Sequence, residues 1–452
     1  MIIRLTIFAL FLTLFSGPVH SNDAEDFKQK HIDNVRMIIA SAMKDSSAWE
    51  SLAYMCDTYG PRFSGTKNLE NALAWMKRSM EEDGLDNVRA EDVMVPVWVR
   101  GNEYCTMLEP RVTKLEMTGL GRSIGTPKEG ITAEVFVVTG FDDLDANADK
   151  VKGKIVVYDI PYISYGQAVQ YRVHGADPAA EYGAVASLVR SSSPIGMNNP
   201  HSGSMRYKNQ AVKIPHAAIT AEDAAMLGRM QKRGHKPVIK LYMEADTLPD
   251  ALSANIIGEY KTDNPNDTII VVGGHSDSWD LGTGAHDDAS GCLATWKAVK
   301  LIKDLGIKLP RTLRAVMFVN EENGVRGGKA YAKAHKDEPH AMMLEMDGGA
   351  FPPSRIMVGN KNDSVLTMLQ IFNPLLHEID DSLNVVAGWG GVDIGPMSRQ
   401  NNIPAIGLGT NGEGKYFWYH HGPSDTVDKI DPMVFNQCIA AIAVTIYLYA
   451  NL

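Results

Sequence analysis

Cysteine is scarce in this chain, lysine and arginine nowhere gather into a block, and internal apolar runs long enough to cross a bilayer are missing. Each shortage excludes something. Four scattered cysteines (Cys56, Cys105, Cys292, Cys438) in 452 residues do not make a disulfide framework of the kind that holds small secreted domains together. Cys292 and Cys438 fall in apolar helical patterns and read as buried thiols; a Cys56–Cys105 bridge is left open, since spacing alone does not decide pairing. With 44 basic against 54 acidic residues and no basic patch, nucleic acid is excluded as a partner. The apolar stretch Cys438–Leu452 is shorter than a bilayer span and reads as a packed core helix.

What is present starts at the amino end. One arginine in Met1–Arg4, the apolar run Leu5–Phe15, a Gly17-Pro18 break and Val19-His20-Ser21 have the layout of a secretory leader. Residues 1–21 are expected to be removed. The mature chain is then exported, to a periplasm, the medium or a lysosome according to the host, with no membrane anchor. Two acceptor sequons, at Asn266 and Asn362, matter only in a host that glycosylates.

Periodicity predicts helices over Ala24–Met43 and Asn68–Met80 and a strand over Val93–Val99, placed near an edge by Pro96. Residues 113–251 then change texture. They are rich in glycine and alanine, with short strands (Ile155–Tyr158, Val185–Val189) and a helix (Glu222–Gln231), and read as an inserted α/β domain. From Ala254 onward strands (Ile256–Tyr260, Thr268–Val272, Leu313–Val319, Ala341–Met346, Ala405–Leu408) alternate with helices (Cys292–Lys303, Gly328–His335, and a last one from Met433). Such alternation predicts an α/β fold: a parallel or mixed sheet with helices on both faces, spanning 22–112 and 252–452 around the insertion.

Ligands in such sheets bind beyond the carboxyl ends of the strands, and there the chemistry-bearing residues collect. Thr268–Val272 leads into His275-Ser276-Asp277, Leu313–Val319 into Glu321-Glu322, Ala341–Met346 into Asp347, and Ala405–Leu408 into a loop closing at His420-His421. Residues 275–291, HSDSWDLGTGAHDDASG, crowd two histidines and four aspartates into one segment. Carboxylates so close repel unless a cation sits among them, and imidazole with carboxylate suits zinc. Asp287 is the candidate to be shared between two ions, and Gly282, Gly284 and Gly291 let the loop fold tightly past them. Singly, each motif has a plainer reading. His275–Asp277 could form a turn, Glu321-Glu322 a solvated loop start, and Asp288 or Ser290 a helix cap; Asp393 divides evenly between site and cap. Arg326 reads as structural and Lys415 as exposed. Four strand ends converging together are not explained that way.

The motifs HSD, GAHDDASG, EENGVRGG, MDGG and HHGPSDT resemble the signature of the co-catalytic dizinc aminopeptidase/carboxypeptidase family. Longer segments, among them TYGPRFSGTKNLENA, GKIVVYDIPYISY, VQYR and KYFWYHH, extend the resemblance over nearly all of the mature chain, to a branch that cleaves dipeptides with free termini. The insertion is similar to a protease-associated domain. The resemblance implies two zinc ions per subunit. His275 and Asp347 would hold one, Glu322 and His421 the other, with Asp287 bridging. Asp277 would accept the second ring N–H of His275, and Glu321 would be the general base for water held between the ions. His420 would take the place of a tyrosine that polarises the substrate carbonyl. The resemblance further implies a cis Asp287–Asp288 bond and a homodimer. An aminopeptidase acting on longer peptides and, in another class, an inactive receptor-like binding module remain the alternatives; a one-metal cyclase fits poorly with a full donor set.

Overall fold

The computed structural model of the chain describes residues 21–264, 267–359 and 363–452. The expected leader, apart from Ser21, and both sequon asparagines, Asn266 and Asn362, lie outside the described residues. Among those described, two eight-stranded sheets form. The first runs Asp86–Val99, Asp246–Tyr260, Thr312–Phe318, Ile269–His275, His340–Glu345, Ala405–Thr410, Pro353–Val358, Asn384–Ala387. Its four middle strands, from Thr312–Phe318 to Ala405–Thr410, are mutually parallel, and antiparallel pairs flank them. The expected mixed α/β sheet is therefore observed. Asp86–Val99 is indeed an edge strand, and Pro96 sits at a register break between Val95 and Val97, where its missing N–H breaks no ladder bond.

Alternation along the strands distributes side chains between two helical layers. Ile270, Val272, Leu313, Ala315, Met317, Met342 and Leu344 face one core, shared with helices Ser21–Ala42, Ser47–Tyr59, Lys67–Glu82, Ser290–Asp304 and Pro432–Ala450. Val271, Val316, Phe318 and Met343 face the other, under helices Arg326–Ala334 and Gly395–Asn401. One expectation needs correction and one open question closes. The final helix, Pro432–Ala450, has 19 residues and is long and apolar enough to cross a membrane, more than the stretch from Cys438 suggests; most of it is buried, chiefly against helices Ser290–Asp304 and Ser21–Ala42, so it is the packed core helix expected. A Cys56–Cys105 bridge is absent, because Cys56 belongs to the first core and Cys105 to the core of the second sheet; both are free and buried.

The second sheet comprises Thr113–Leu115, Glu103–Glu109, Val238–Met243, Ile131–Val138, Ile155–Tyr158, Ala186–Arg190, His216–Ile219 and Met117–Gly119. It begins ahead of the expected boundary at 113, since Glu103–Glu109 pairs with Val238–Met243. It also ends before 251, because Asp246–Tyr260 returns to the first sheet alongside Asp86–Val99. That long ribbon carries the chain between the two sheets.

Candidate metal centre

The four parallel strands in the middle of the first sheet deliver the four predicted groups to one rim. Ile269–His275 continues through Gly273-Gly274, pairing with Val316 and Met317, so His275 is the last strand residue rather than part of the loop. The strand was expected to stop at Val272, but paired glycines extend it. The next segment turns back tightly: Gly284 has φ +57°, and a Cβ on Gly291 would stand 1.9 Å from the Met346 carbonyl oxygen. Asp288 pins this turn. Its carboxylate accepts the His275 N–H (3.0 Å) and the Gly291 N–H (2.9 Å), so it caps the helix start, whereas Ser290 only reaches the His286 carbonyl. The Asp287–Asp288 bond is cis.

Asp287 lies between two donor pairs. Its Oδ1 is 3.2 Å from His275 Nε2, which is 3.6 Å from Asp347 Oδ1; its Oδ2 is 3.2 Å from His421 Nε2, which is 3.0 Å from Glu322 Oε2. Four ligands at about 2.0–2.1 Å around a tetrahedral zinc stand about 3.3 Å apart, and both groups match that edge. Buried His275 Nε2, Asp287 Oδ2, Glu322 Oε1 and Asp347 Oδ1 have no hydrogen-bond partner, a costly arrangement unless a cation takes their lone pairs. The residues fit a metal on each side of Asp287. His420 Nε2 is farther off, 3.7 Å from Asp287 Oδ2, with its ring stacked 3.5 Å from that of His421. His286, the other histidine of the crowded segment, is sandwiched between Phe351 and Tyr419 and accepts the Ala350 N–H.

Supporting bonds fix these side chains. His275 Nδ1 donates to the main-chain carbonyl of Asp277 (2.9 Å), while the Asp277 carboxylate stands 3.8 Å away. This corrects the expected carboxylate contact. The Asp277 carboxylate instead accepts the Glu321 N–H (3.0 Å) and the Glu322 N–H (3.4 Å), aiming the two glutamates from the start of their short helix. Asp425 accepts the His286 N–H (2.8 Å) and the Asp287 N–H (3.2 Å). Arg62, wholly buried, donates to the carbonyls of Gly60, Ser276, Thr283 and Gly284. Asp393 is buried with both carboxylate oxygens unpartnered and caps nothing. Arg326 bonds to Asp250 at the surface, as expected, and Lys415, expected to be exposed, is half-buried beside Glu413.

Electrostatics follow from burial. Burial pushes the Glu321 carboxyl well above the usual range, with His275 opposing and Asp347 adding to the rise. Burial and the adjacent His421 hold His420 well below its ordinary value, so it stays neutral. Asp287 goes the other way: burial would raise it, but His275 and His421 hold it well below.

The inserted unit reaches the same rim, which the sequence did not reveal. Ser202 N–H donates to the His421 carbonyl (2.9 Å), His201 Nδ1 to the His420 carbonyl (2.6 Å) and Ser204 Oγ to the Glu322 carbonyl (3.3 Å). Tyr165 stacks on Phe417, and Arg172 stands beside His421. Tyr165, Arg172, Tyr416, His420 and Glu321 line one cavity of about 220 Å³ over the donors.

Fold and donor set together define an α/β metallohydrolase. The sequence pattern of Peptidase family M28 matches residues 255–446. Carboxypeptidase Q of Bos taurus is 43% identical over 407 residues, 90% of this chain and 85% of its own length, and that of Homo sapiens is 42% identical over the same shares. A solved structure of a peptidase M28 precursor from Shewanella amazonensis superimposes with a TM-score of 0.88 at 32% identity, covering 94% of this chain and 97% of that one. A zinc aminopeptidase from Bacillus subtilis, at 22% identity and a TM-score of 0.66 over 88% of this chain and 94% of its own, shares the fold. The chain belongs to peptidase family M28 and is a metallopeptidase.

Proposed function

We propose that the protein is an exported exopeptidase with two zinc ions per subunit, working as a homodimer on dipeptides whose termini are both free. The carrying observation is Asp287, whose two oxygens face separate donor pairs: His275 with Asp347, and His421 with Glu322. In this reading those five residues hold the ions. Likeness to carboxypeptidase Q over most of the chain supports the carboxypeptidase and dipeptidase part, and the layout of residues 1–21 supports export.

When bound, the ions would supply Lewis acidity, polarising the scissile carbonyl and making water acidic near neutral pH. Glu321 takes a proton from the attacking water and hands it to the leaving amine. His420, kept neutral by burial, offers a ring N–H to the carbonyl oxygen as charge develops there. Asp277 steadies Glu321 through its main-chain N–H. Tyr416 walls the cavity.

The test uses the purified mature protein, with and without added zinc, on a free dipeptide, N-blocked and C-blocked versions and a longer peptide. Glu321→Gln runs beside it and should keep its metal while losing turnover. Zinc-dependent cleavage confined to the doubly free dipeptide is the expected result. Stepwise trimming of the longer peptide from its amino end would make the protein an aminopeptidase. Stoichiometric metal with no hydrolysis would make it a binding module.

A further inference from the structure

A second cavity, of about 320 Å³, adjoins the one over the donors and shares Asp347 and Tyr416 with it. The catalytic reading leaves it unused. Its floor is the first sheet. Strands Pro353–Val358 and Ala405–Thr410 pair antiparallel, with Arg355 opposite Gly409 and Met357 opposite Gly407. Alternation puts these four on one face, while Ile356 and Leu408 turn into the core on the other. Each long side chain lies across a glycine: a Cβ on Gly409 would stand 3.2 Å from Arg355 Nε, and one on Gly407 would stand 3.2 Å from Met357 Cε. The two glycines thus leave a trough at the rim. Trp389 forms one wall with 61% of its surface exposed, unusually open for an indole. Glu345 lies buried below, and its carboxylate is spent on the wall loop, accepting the N–H groups of Val392 (2.9 Å) and Ile394 (3.0 Å). Arg355 is the one cation of the lining. Among the described residues it has no carboxylate partner; Nη2 reaches only the Thr410 carbonyl, at 3.5 Å. The Thr410 hydroxyl in turn donates to the Gly348 carbonyl (2.9 Å), directly after Asp347, so the guanidinium stands at the rim that carries the donors.

Resting on the dipeptidase reading, we infer that this trough receives the side chain of the substrate's amino-terminal residue and that Arg355 selects an acidic one, glutamate or aspartate. Charge sets the orientation. The free amine of a dipeptide is a cation; Arg172 repels it on the side of the inserted unit, while Glu321 and Asp347 attract it on the side of the sheet. The amino-terminal residue therefore lies over the sheet, and its side chain enters the trough between Asp347 and Tyr416. A carboxylate there meets guanidinium N–H groups that no protein carboxylate occupies, and it pairs with them through two parallel hydrogen bonds. Met357 and Trp389 cover the methylenes that lead to it. A lysine or arginine side chain in the same place meets like charge. Selectivity for the first substrate residue thereby resides in two strands that hold none of the five donors.

The experiment measures kcat/KM for glutamyl-alanine, glutaminyl-alanine and lysyl-alanine in the zinc-loaded wild type, R355Q and R355E. Glutamine matches glutamate in shape, so the ratio of the first two isolates charge. The wild type should favour the glutamyl substrate by roughly fivefold to tenfold, as suits a guanidinium pair open to water, and the preference should shrink as salt is raised. In R355Q the ratio should fall to unity, and R355E should favour the lysyl substrate. Arg355 is exposed, so neither substitution threatens the fold; zinc content and melting temperature are read alongside. A wild type that does not favour the glutamyl substrate, a preference that survives in R355Q, or equal losses on all substrates would overturn the inference. Hydrolysis of none of them would overturn the dipeptidase reading and the inference with it. Hydrolysis of all of them without regard to charge leaves that reading standing and overturns the inference alone.

Discussion

Replacing Asp425 by asparagine isolates one support of the candidate metal centre without changing its shape. The carboxylate accepts two main-chain N–H groups, from His286 at 2.8 Å and Asp287 at 3.2 Å, in a fully buried setting. Burial pushes the Asp425 carboxyl up to about 7, so the comparison is made above that pH, where the group is charged and each hydrogen bond to it contributes about 1.5–3 kcal/mol. Asparagine keeps one acceptor oxygen, now neutral, and turns an NH2 toward the second N–H, leaving that donor unpaired. The Asp425 main chain, which accepts from Thr283 N–H and hydroxyl, is untouched. A total cost of about 3 kcal/mol follows. It falls where Asp287 is oriented, so much of it should emerge as weakened metal binding. Loss of a group that orients a ligand typically costs 10- to 100-fold in affinity, about 1.4–2.8 kcal/mol, which is within that total. The assay is zinc affinity by competition with a calibrated chelator, with melting temperature measured on metal-free and zinc-loaded protein. D425N should bind zinc 10- to 100-fold more weakly and lose part of the stabilisation that zinc confers. Affinity within threefold of wild type would refute the reasoning, since the two N–H bonds would then do nothing for Asp287.

Three further expectations can be checked directly. His421→Ala should lose bound metal, whereas His420→Ala should retain it and lose turnover by about 10²-fold; metal loss in the second variant only would mean that the two histidines exchange roles. At the far end of the sheet His335 meets Glu91 at 2.8 Å and Glu338 at 3.0 Å, with Arg314 also beside it. Burial opposes its charge, but the two carboxylates hold its imidazole above the ordinary 6.5. Burial is likewise outweighed at Glu91 and Glu338, which His335 and the arginines hold below 4.5. The imidazole's contribution is full below pH 6.5 and fades as pH rises through its folded value; that of the carboxylates is present above 4.5 and fades below. The stability gap between wild type and His335→Gln should thus peak between pH 4.5 and 6.5 in denaturant titrations, and a gap that grows above pH 7 would contradict this. Finally, denatured protein should show four titratable thiols without reductant, and reductant should leave the melting temperature unmoved.

How far the sequence could be read depended on whether a residue's role is local. His275, Glu322 and Asp347 were legible because each ends or closely follows an apolar strand, and parallel strands bring such positions to one rim whatever their order in the chain; His421, on a loop well past Thr410, was legible through the motif it shares with the family it resembles. Asp277 was assigned the wrong atom for a related reason: the sequence names the residue, but only the backbone path decides whether its carbonyl or its carboxylate meets His275. Arg62 and Asp425 escaped because their partners are carbonyls and N–H groups, several of them more than a hundred residues away, and main-chain groups leave no mark on composition or periodicity. The inserted unit escaped in the same way. Its strands and helix were found, yet nothing in a glycine- and alanine-rich segment foretold that Ser202 and His201 would bond to the backbone of the two-histidine loop. Those bonds tie the position of His421 to the inserted unit. The seating of the inserted unit and the placement of His421 are therefore mechanically coupled, and a change in the one should displace the other.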